Sequence, residues 1–179
     1  MKRILLLSIL GLFLFAGCKK DSGNGGGESA TEMYREPYID MGGSPSAVKS
    51  YEERTLVDED TEGDGLLLWY KGENSKINAV FYMFENLKLE GVICEIPTTQ
   101  KTTLIDYLEE KYEYFGENND IIFYVTKTGK KVYIGYNEGD GIADTGKKVI
   151  QVIYIPDPAD PVSYMPIHAV TEAMKKLRR

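Results

Sequence analysis

Histidine, cysteine and tryptophan are scarce in this chain of 179 residues, which contains one histidine, two cysteines and one tryptophan. His168 alone cannot supply a histidine-rich metal site, because such sites bring several imidazoles to one ion. The only thiols are those of Cys18 and Cys94. If Cys18 is modified, Cys94 has no partner, so no internal disulfide is expected.

Basic residues are also in the minority, with 21 Lys and Arg against 28 Asp and Glu and a formal net charge of −7. Nucleic-acid binding requires Lys and Arg to neutralise phosphates, so we expect no nucleic-acid partner. The same charge balance predicts a soluble, acid-rich surface with no general attraction for anionic membranes.

Long hydrophobic runs are absent after the N-terminus. Lys2-Arg3 precedes an apolar run over residues 4–16, which is shorter than the roughly 20 residues of a membrane-spanning helix and has the flanks of a signal peptide. The sequence Phe-Ala-Gly-Cys at positions 15–18 resembles the lipobox of bacterial lipoproteins. This resemblance implies a signal peptide over residues 1–17 and a diacylglycerol on Cys18, with no other cofactor. An ordinary secretory signal cut near Gly17 is the alternative.

The residues after Cys18 predict a membrane-anchored protein of the cell envelope. Two or three acyl chains anchor a protein stably, whereas one chain is marginal. Residues 18–43 begin with a Gly- and Ser-rich stretch that cannot bury a core, and we interpret them as a flexible tether. Position 19 is Lys rather than the Asp that retains some lipoproteins at the inner membrane, which favours the outer membrane.

Residues 44–156 predict an α+β domain made of two α-β-β-β repeats, 44–97 and 98–156. Ser44-Pro45 opens one helix, and Thr102-Thr103 opens a second in which Leu104, Leu108, Tyr112 and Phe115 form a helical stripe. Each helix precedes three strand-like runs, and each set ends at a proline, Pro97 or Pro156. The first set is Leu66–Tyr70, Ala79–Phe84 and Leu87–Ile96, and the second is Ile121–Thr126, Lys131–Tyr136 and Val149–Ile155.

Short connections between these strands predict one twisted antiparallel sheet with the helices on one face. This element order resembles the tandem domains of β-lactamase inhibitor proteins and of small outer-membrane assembly lipoproteins, a likeness of fold that implies no activity. Residues 157–179 read as a proline-rich linker followed by a short helix or tail, with Ile167, Val170, Met174 and Leu177 at helical spacing.

The acidic stretch "DEDTEGDGL" contains four candidate calcium ligands. Asp58, Asp60, Glu62 and Asp64 fit the first half of an EF-hand-like loop, because calcium prefers several carboxylate oxygens around a tight turn. The second half lacks the apolar anchor and the bidentate Glu, so a solvated acidic connection is favoured and no metal site is assigned.

Nucleophile patterns are equally incomplete. Ser46 and Lys49 form an SxxK motif, and Lys127-Thr128-Gly129 a KTG tripeptide, which together resemble penicillin-binding enzymes. The intervening SxN or YxN motif is missing, so no enzyme is predicted. Cys94, in an apolar strand beside Glu95, is expected to have a raised thiol pKa and to act as a core residue.

Aromatic residues carry the functional hypothesis, because the chain contains 13 tyrosines. Tyr and Trp bury a large area while keeping a polar tip, which suits interfaces. We therefore expect a non-catalytic binding or scaffold module for an envelope protein or glycan, with Trp69, Tyr82, Tyr124 and Tyr133 as surface contacts. An envelope hydrolase using paired carboxylates and a purely structural lipoprotein are the alternatives.

Overall fold

An eight-stranded antiparallel sheet organises the chain in the computed structural model, which describes residues 33–118, 121–127, 132–143 and 146–156. The predicted signal peptide, Cys18, Thr128-Gly129 and residues 157–179 lie outside these ranges. The strands are β1 (Leu56–Glu62), β2 (Gly65–Lys71), β3 (Ala79–Glu85), β4 (Lys88–Pro97), β5 (Glu113–Asn118), β6 (Ile121–Val125), β7 (Val132–Asp140) and β8 (Lys148–Pro156).

The sheet order is β1-β2-β3-β4-β8-β7-β6-β5, so two four-stranded meanders meet through their last strands. At this central seam Cys94 of β4 lies opposite Val152 of β8. Helix α1 (Pro45–Tyr51) precedes the first meander, and α2 (Lys101–Lys111) precedes the second after a 3-10 turn at Thr98–Gln100. The predicted α+β fold with an antiparallel sheet is therefore confirmed.

Each helix is followed by four strands, whereas the sequence analysis expected three. The additional strands, β1 and β5, are the two edges of the sheet. Acidic residues dominate β1, and six of its seven residues are exposed. Its sequence therefore lacks the apolar alternation by which a strand is recognised. The predicted helical stripe that ends at Phe115 is too long, because the second helix ends at Lys111 and Tyr112 is already extended.

Local sequence explains where the helices begin and what they bury. Ser44 is the N-cap of α1, and its hydroxyl oxygen accepts a hydrogen bond from the Ala47 amide at 3.3 Å. Val48 is the buried residue of this helix. Helix α2 has no side-chain cap and buries Leu104, Tyr107 and Leu108. No helix within the described ranges is long and apolar enough to cross a membrane.

Both helices pack on one face of the sheet, which we call the first face. Val48 and Leu104 share its core with strand residues such as Tyr82, Val92 and Tyr154. Met33 and Tyr34 are also buried in this core, so the predicted tether over residues 18–43 is wrong for residues 33–43. The buried side chains of Met33 and Tyr34 pack this segment against the folded domain.

The opposite face, which we call the second face, has its own buried core. This core contains Leu67, Ala79, Phe81, Ile93, Val125, Tyr133, Ile142, Ile153 and Ile155, with Trp69, Met83 and Ala143 partly buried against it. Glu95 is a buried carboxylate on this face, and it accepts hydrogen bonds from the backbone amides of Ile142 and Ala143 in the β7–β8 loop. Those bonds hold the loop residues against the sheet.

Candidate interaction surface

The four aromatic residues predicted as surface contacts lie on both faces of the sheet, but three of them are in its core. Tyr82 is 0% exposed, Tyr124 2% and Tyr133 4%, whereas Trp69 is half-buried and stacks on Phe81 with ring centroids 5.8 Å apart. The prediction that Tyr82, Tyr124 and Tyr133 form an exposed surface is therefore wrong. Both faces of the sheet are covered, so an aromatic residue on a strand is not thereby accessible.

Tyr82 shows how the first face satisfies a buried hydroxyl group. Its hydroxyl donates a hydrogen bond to the Glu52 carboxylate and accepts one from the Tyr38 backbone amide at 3.0 Å. Burial, with the nearby charge of Glu52, raises the pKa of Tyr82 well above its usual value. The Tyr82 hydroxyl therefore stays neutral and makes two hydrogen bonds, one of which links the N-terminal segment to the middle of β3.

Arg54 forms the charged centre of the same network. Its guanidinium contacts the Glu52 carboxylate at 2.6 and 2.9 Å and the Glu73 carboxylate at 2.5 and 3.2 Å. It also donates to the Arg35 carbonyl, and the Arg35 amide donates to Glu73 at 2.7 Å. Although burial opposes the shift, hydrogen bonding to Arg54 and to the Arg35 amide holds the pKa of Glu73 below its usual range.

A second group of hydroxyls lies under α2. The hydroxyl oxygens of Tyr34 and Tyr154 are 2.8 Å apart, and Tyr112 donates a hydrogen bond to Glu36. Burial is the main cause that raises the pKa of Tyr34, Tyr112 and Tyr154 well above the usual tyrosine value. These groups therefore remain neutral and hydrogen-bonded at physiological pH.

Three of the four candidate calcium residues lie on a strand rather than in the acidic connection that the sequence favoured. Asp58, Asp60 and Glu62 lie along strand β1, and Asp64 lies in the β1–β2 turn beside Gly63, whose φ is +59°. Alternation along the strand places the first three on the same side of β1, spread over its length. In the described part of the chain no group of three or more His, Cys, Asp or Glu side chains is placed to hold a metal ion.

The nucleophile candidates are likewise separated. Lys49 contacts Glu59 at 2.6 Å, while the Ser46 hydroxyl is 2.8 Å from that of Ser44, so each has a partner other than its SxxK mate. Cys94 is fully buried, and burial raises the pKa of its thiol, as predicted. Glu95 follows Cys94 in the sequence, but strand alternation places it on the opposite face of the sheet from Cys94.

Within the described ranges, the aromatic residues that are clearly exposed lie on edge strand β5, outside the set predicted from the sequence. Tyr114 is 58% exposed and Phe115 45% exposed. Tyr114 packs edge-on against Tyr124 of the first face, at a centroid distance of 6.2 Å, and Phe115 packs edge-on against Tyr133 of the second face, at 5.2 Å. The two rings thus stand on opposite sides of the strand.

The signal for this pair was present in the sequence but was obscured by the helix assignment. Tyr114 and Phe115 are followed by Gly116, which interrupts a helix more than a strand edge, and the pairing of β5 with β6 shifts register between Tyr114 and Gly116. Among the described strands β5 pairs with β6 alone, so one side of its backbone borders no other described strand.

Comparisons with known proteins add no relative, because no family model, no curated protein and no solved structure matches the chain.

Proposed function

We propose that this chain is a lipid-anchored, non-catalytic binding module of the cell envelope that recognises an extended segment of a partner protein at edge strand β5. The observation that carries this proposal is the exposed pair Tyr114 and Phe115 on an edge strand, in a sheet whose predicted contact tyrosines are buried. The lipobox-like sequence before Cys18 supports the location, with the outer membrane favoured.

Strand addition is the recognition mode that this edge suits. An extended peptide can pair with the outer backbone groups of an edge strand, and its side chains then alternate between the two sides of the sheet. Tyr114 and Phe115 offer one aromatic surface on each side, so a ninth strand would contact both rings. A protein segment supplies the required backbone hydrogen bonds, which is why we propose a protein rather than a glycan.

The other edge of the sheet supports the assignment by contrast. Strand β1 carries Asp58, Glu59, Asp60 and Glu62. Charged residues on an edge oppose pairing with further strands, and natural proteins use them to prevent edge-to-edge association. Strand β5 has aromatic residues at its centre instead, with acids near its ends at Glu113 and Glu117.

The edge assignment can be tested by photo-crosslinking in the native cell with the full-length, lipidated protein. A benzophenone amino acid replaces Phe115 in one strain and Val57 of β1 in another, since these residues are 45% and 47% exposed on opposite edges. We expect one reproducible partner peptide from position 115, weakened by Tyr114→Asp, and none from position 57. Equal products from both edges, or no product from position 115, would overturn the proposal.

The anchor has an independent test. Cys18→Ala is expected to abolish incorporation of labelled fatty acid and to release the protein from the membrane fraction. Cys94→Ala is the matched control, because its thiol is fully buried and should not be acylated. Labelling that persists in Cys18→Ala would contradict the anchor while leaving the edge-strand test unaffected.

We further propose that the two halves arose by duplication of a helix followed by a four-stranded meander. In support, the element order repeats, and each meander joins the other through its fourth strand. An experimental structure would test this by superposition of residues 45–97 on 101–156. Opposite curvature of the two meanders, or helices that cross them differently, would argue against a common origin.

A further inference from the structure

The second face of the sheet is buried more completely than its described neighbours explain. Phe81 and Ile93 have no exposed surface, and Ile153 is 1% exposed. These three residues lie side by side at the centre of the sheet, on β3, β4 and β8, because Phe81 pairs with Ile93 and Ile93 with Ile153. Their side chains are therefore shielded from above as well as from the sides.

A single sheet layer cannot provide that shielding. Side chains stand roughly perpendicular to a sheet, so neighbours such as Trp69 and Met83 cover the flanks of Phe81 and leave its outer end open. The described residues outside the strands that pack here are Ile142 and Ala143. Both are held by Glu95, which lies two residues along β4 from Ile93, towards one end of the seam.

We propose that residues 157–179 of the same chain pack across the second face as an amphipathic helix. Chain continuity and linker length favour this segment over a separate molecule as the cover. Residues 157–179 follow directly from β8, whose Ile153 and Ile155 belong to the second face. From β8 to β3 the distance is two strand spacings, about 10 Å, which the ten residues of "DPADPVSYMP" can easily span.

The sequence after this linker has the required pattern. Ile167, Val170, Met174 and Leu177 recur at intervals of three and four residues, which places them on one side of a helix. Glu172 and Lys176 fall on the other side. A helix of this kind would set four apolar side chains against Phe81, Ile93 and Ile153, and would leave its charged side in water.

The chain carries its own reporter for this contact, because its one tryptophan is Trp69, stacked on Phe81 in the second face. Full-length Val170→Asp and Met174→Asp should displace the helix, shift Trp69 emission to longer wavelength and raise acrylamide quenching about twofold or more, since local opening admits water and quencher. Ala169→Asp adds the same charge on the polar side of the helix and should leave both signals unchanged.

Crosslinking of folded full-length protein covers the case in which an aspartate variant fails to fold. With Cys18 replaced by Ala, Met83→Cys and Met174→Cys should be joined by a bismaleimide of about 10 Å span, the usual spacing between packed layers. Glu172→Cys paired with Met83→Cys should give little product. Equal crosslinking of both pairs would overturn the proposal.

A second copy of the chain is the competing cover, and dilution distinguishes the two. Trp69 quenching that stays constant over a hundredfold dilution supports a cover from the same chain. Quenching that rises on dilution, together with crosslinks between chains, would overturn the proposal. None of these measurements depends on the lipid anchor or on strand β5.

Discussion

The two faces of the sheet are both buried, but they are built from different side chains. The first face contains eight buried tyrosines, namely Tyr34, Tyr70, Tyr82, Tyr107, Tyr112, Tyr124, Tyr136 and Tyr154. The second-face core contains Tyr133 and is otherwise made of aliphatic residues, Phe81 and the half-buried Trp69. One side of the sheet therefore holds most of the buried hydroxyl groups and the Arg54 ion pairs, whereas the other is mainly apolar, with Glu95 as its buried carboxylate.

This difference teaches which physical terms stabilise each face. A buried hydroxyl or carboxylate needs a partner, so the positions of Tyr34, Tyr82 and Arg54 are fixed by hydrogen-bond geometry. Apolar side chains have no such requirement and are positioned by close packing. Removal of tyrosine hydroxyl groups and alkaline pH should therefore act mainly through the first face, while changes of volume should act on both.

The largest expected effect is the loss of the Arg54 guanidinium. Arg54→Ala leaves the Glu52 carboxylate in the core without its cation, where both side chains are almost fully buried. Removing one partner of a buried ion pair costs about 3–5 kcal/mol in the free energy of unfolding. Urea unfolding followed by circular dichroism measures this loss directly.

Lys49→Ala is the matched control for Arg54→Ala. Lys49 also contacts a glutamate, Glu59, but both side chains are about 41–42% exposed. An exposed pair of this kind contributes about 0–1 kcal/mol. Losses of similar size in the two variants would mean that the buried network has no special role in the first face.

Alkaline pH should produce the next largest effect, again through the first face. An unfolded tyrosine has a pKa of about 10, and burial raises the pKa of Tyr34, Tyr82, Tyr112 and Tyr154 in the folded chain. The folded state then holds protons that the unfolded state has released. Stability is fully present below pH 10 and falls above it, by up to about 1.4 kcal/mol per pH unit for each tyrosine.

Absorbance of tyrosinate at 295 nm, followed together with unfolding, checks this dependence. Tyr124, whose pKa is raised to about 12 mainly by burial, should titrate near that value while the domain is folded. The tyrosinate absorbance of Tyr34, Tyr82, Tyr112 and Tyr154 should appear only as the domain unfolds. Phe115→Leu changes an exposed ring that carries no hydroxyl group and should leave the slope of stability against pH unchanged, and a slope altered by that variant would point to a cause other than tyrosine ionisation.

The first face also marks what the sequence could and could not predict. Alternation in "AVFYMF" is apolar on both sides, which correctly predicts β3 and indicates a strand covered on both faces. A strand covered on both faces would bury Tyr82. The prediction of an exposed Tyr82 relied instead on the general enrichment of tyrosine at interfaces. The Tyr82 hydroxyl bonds to the Glu52 carboxylate and to the Tyr38 amide. Both partners are distant in the sequence, so no local sequence pattern predicts these contacts.

The edge strands were missed for a related physical reason. A central strand is identified by the apolar side chains that it buries, whereas an edge strand needs mainly a neighbour with which to pair. Strand β1 forms opposite Leu66 to Tyr70 although its own sequence is acidic, and β5 forms opposite β6 although Phe115 also fits a helical stripe. The candidate interaction surface lies on one of these strands, so the sequence analysis could not locate it.

The smallest expected effects come from two neighbours on β8 that point to opposite faces. Ile153→Val removes one methylene group from the second face, and Tyr154→Phe removes one hydroxyl from the first. Each should cost about 1 kcal/mol in the free energy of unfolding at pH 7, the first through lost packing and the second because the Tyr34 hydroxyl loses its partner at 2.8 Å. At neutral pH, urea unfolding should therefore not distinguish the two variants.

Above pH 10 the same two variants should diverge. Tyr154→Phe removes one group with a raised pKa, so its stability should fall less steeply with pH than that of the unchanged chain. Ile153→Val alters no titratable group and should remain parallel to the unchanged chain at every pH. If the two curves stayed parallel to each other, the alkaline sensitivity would have to originate outside the buried hydroxyls of the first face, and the distinction between a hydrogen-bonded face and a packed face would fail.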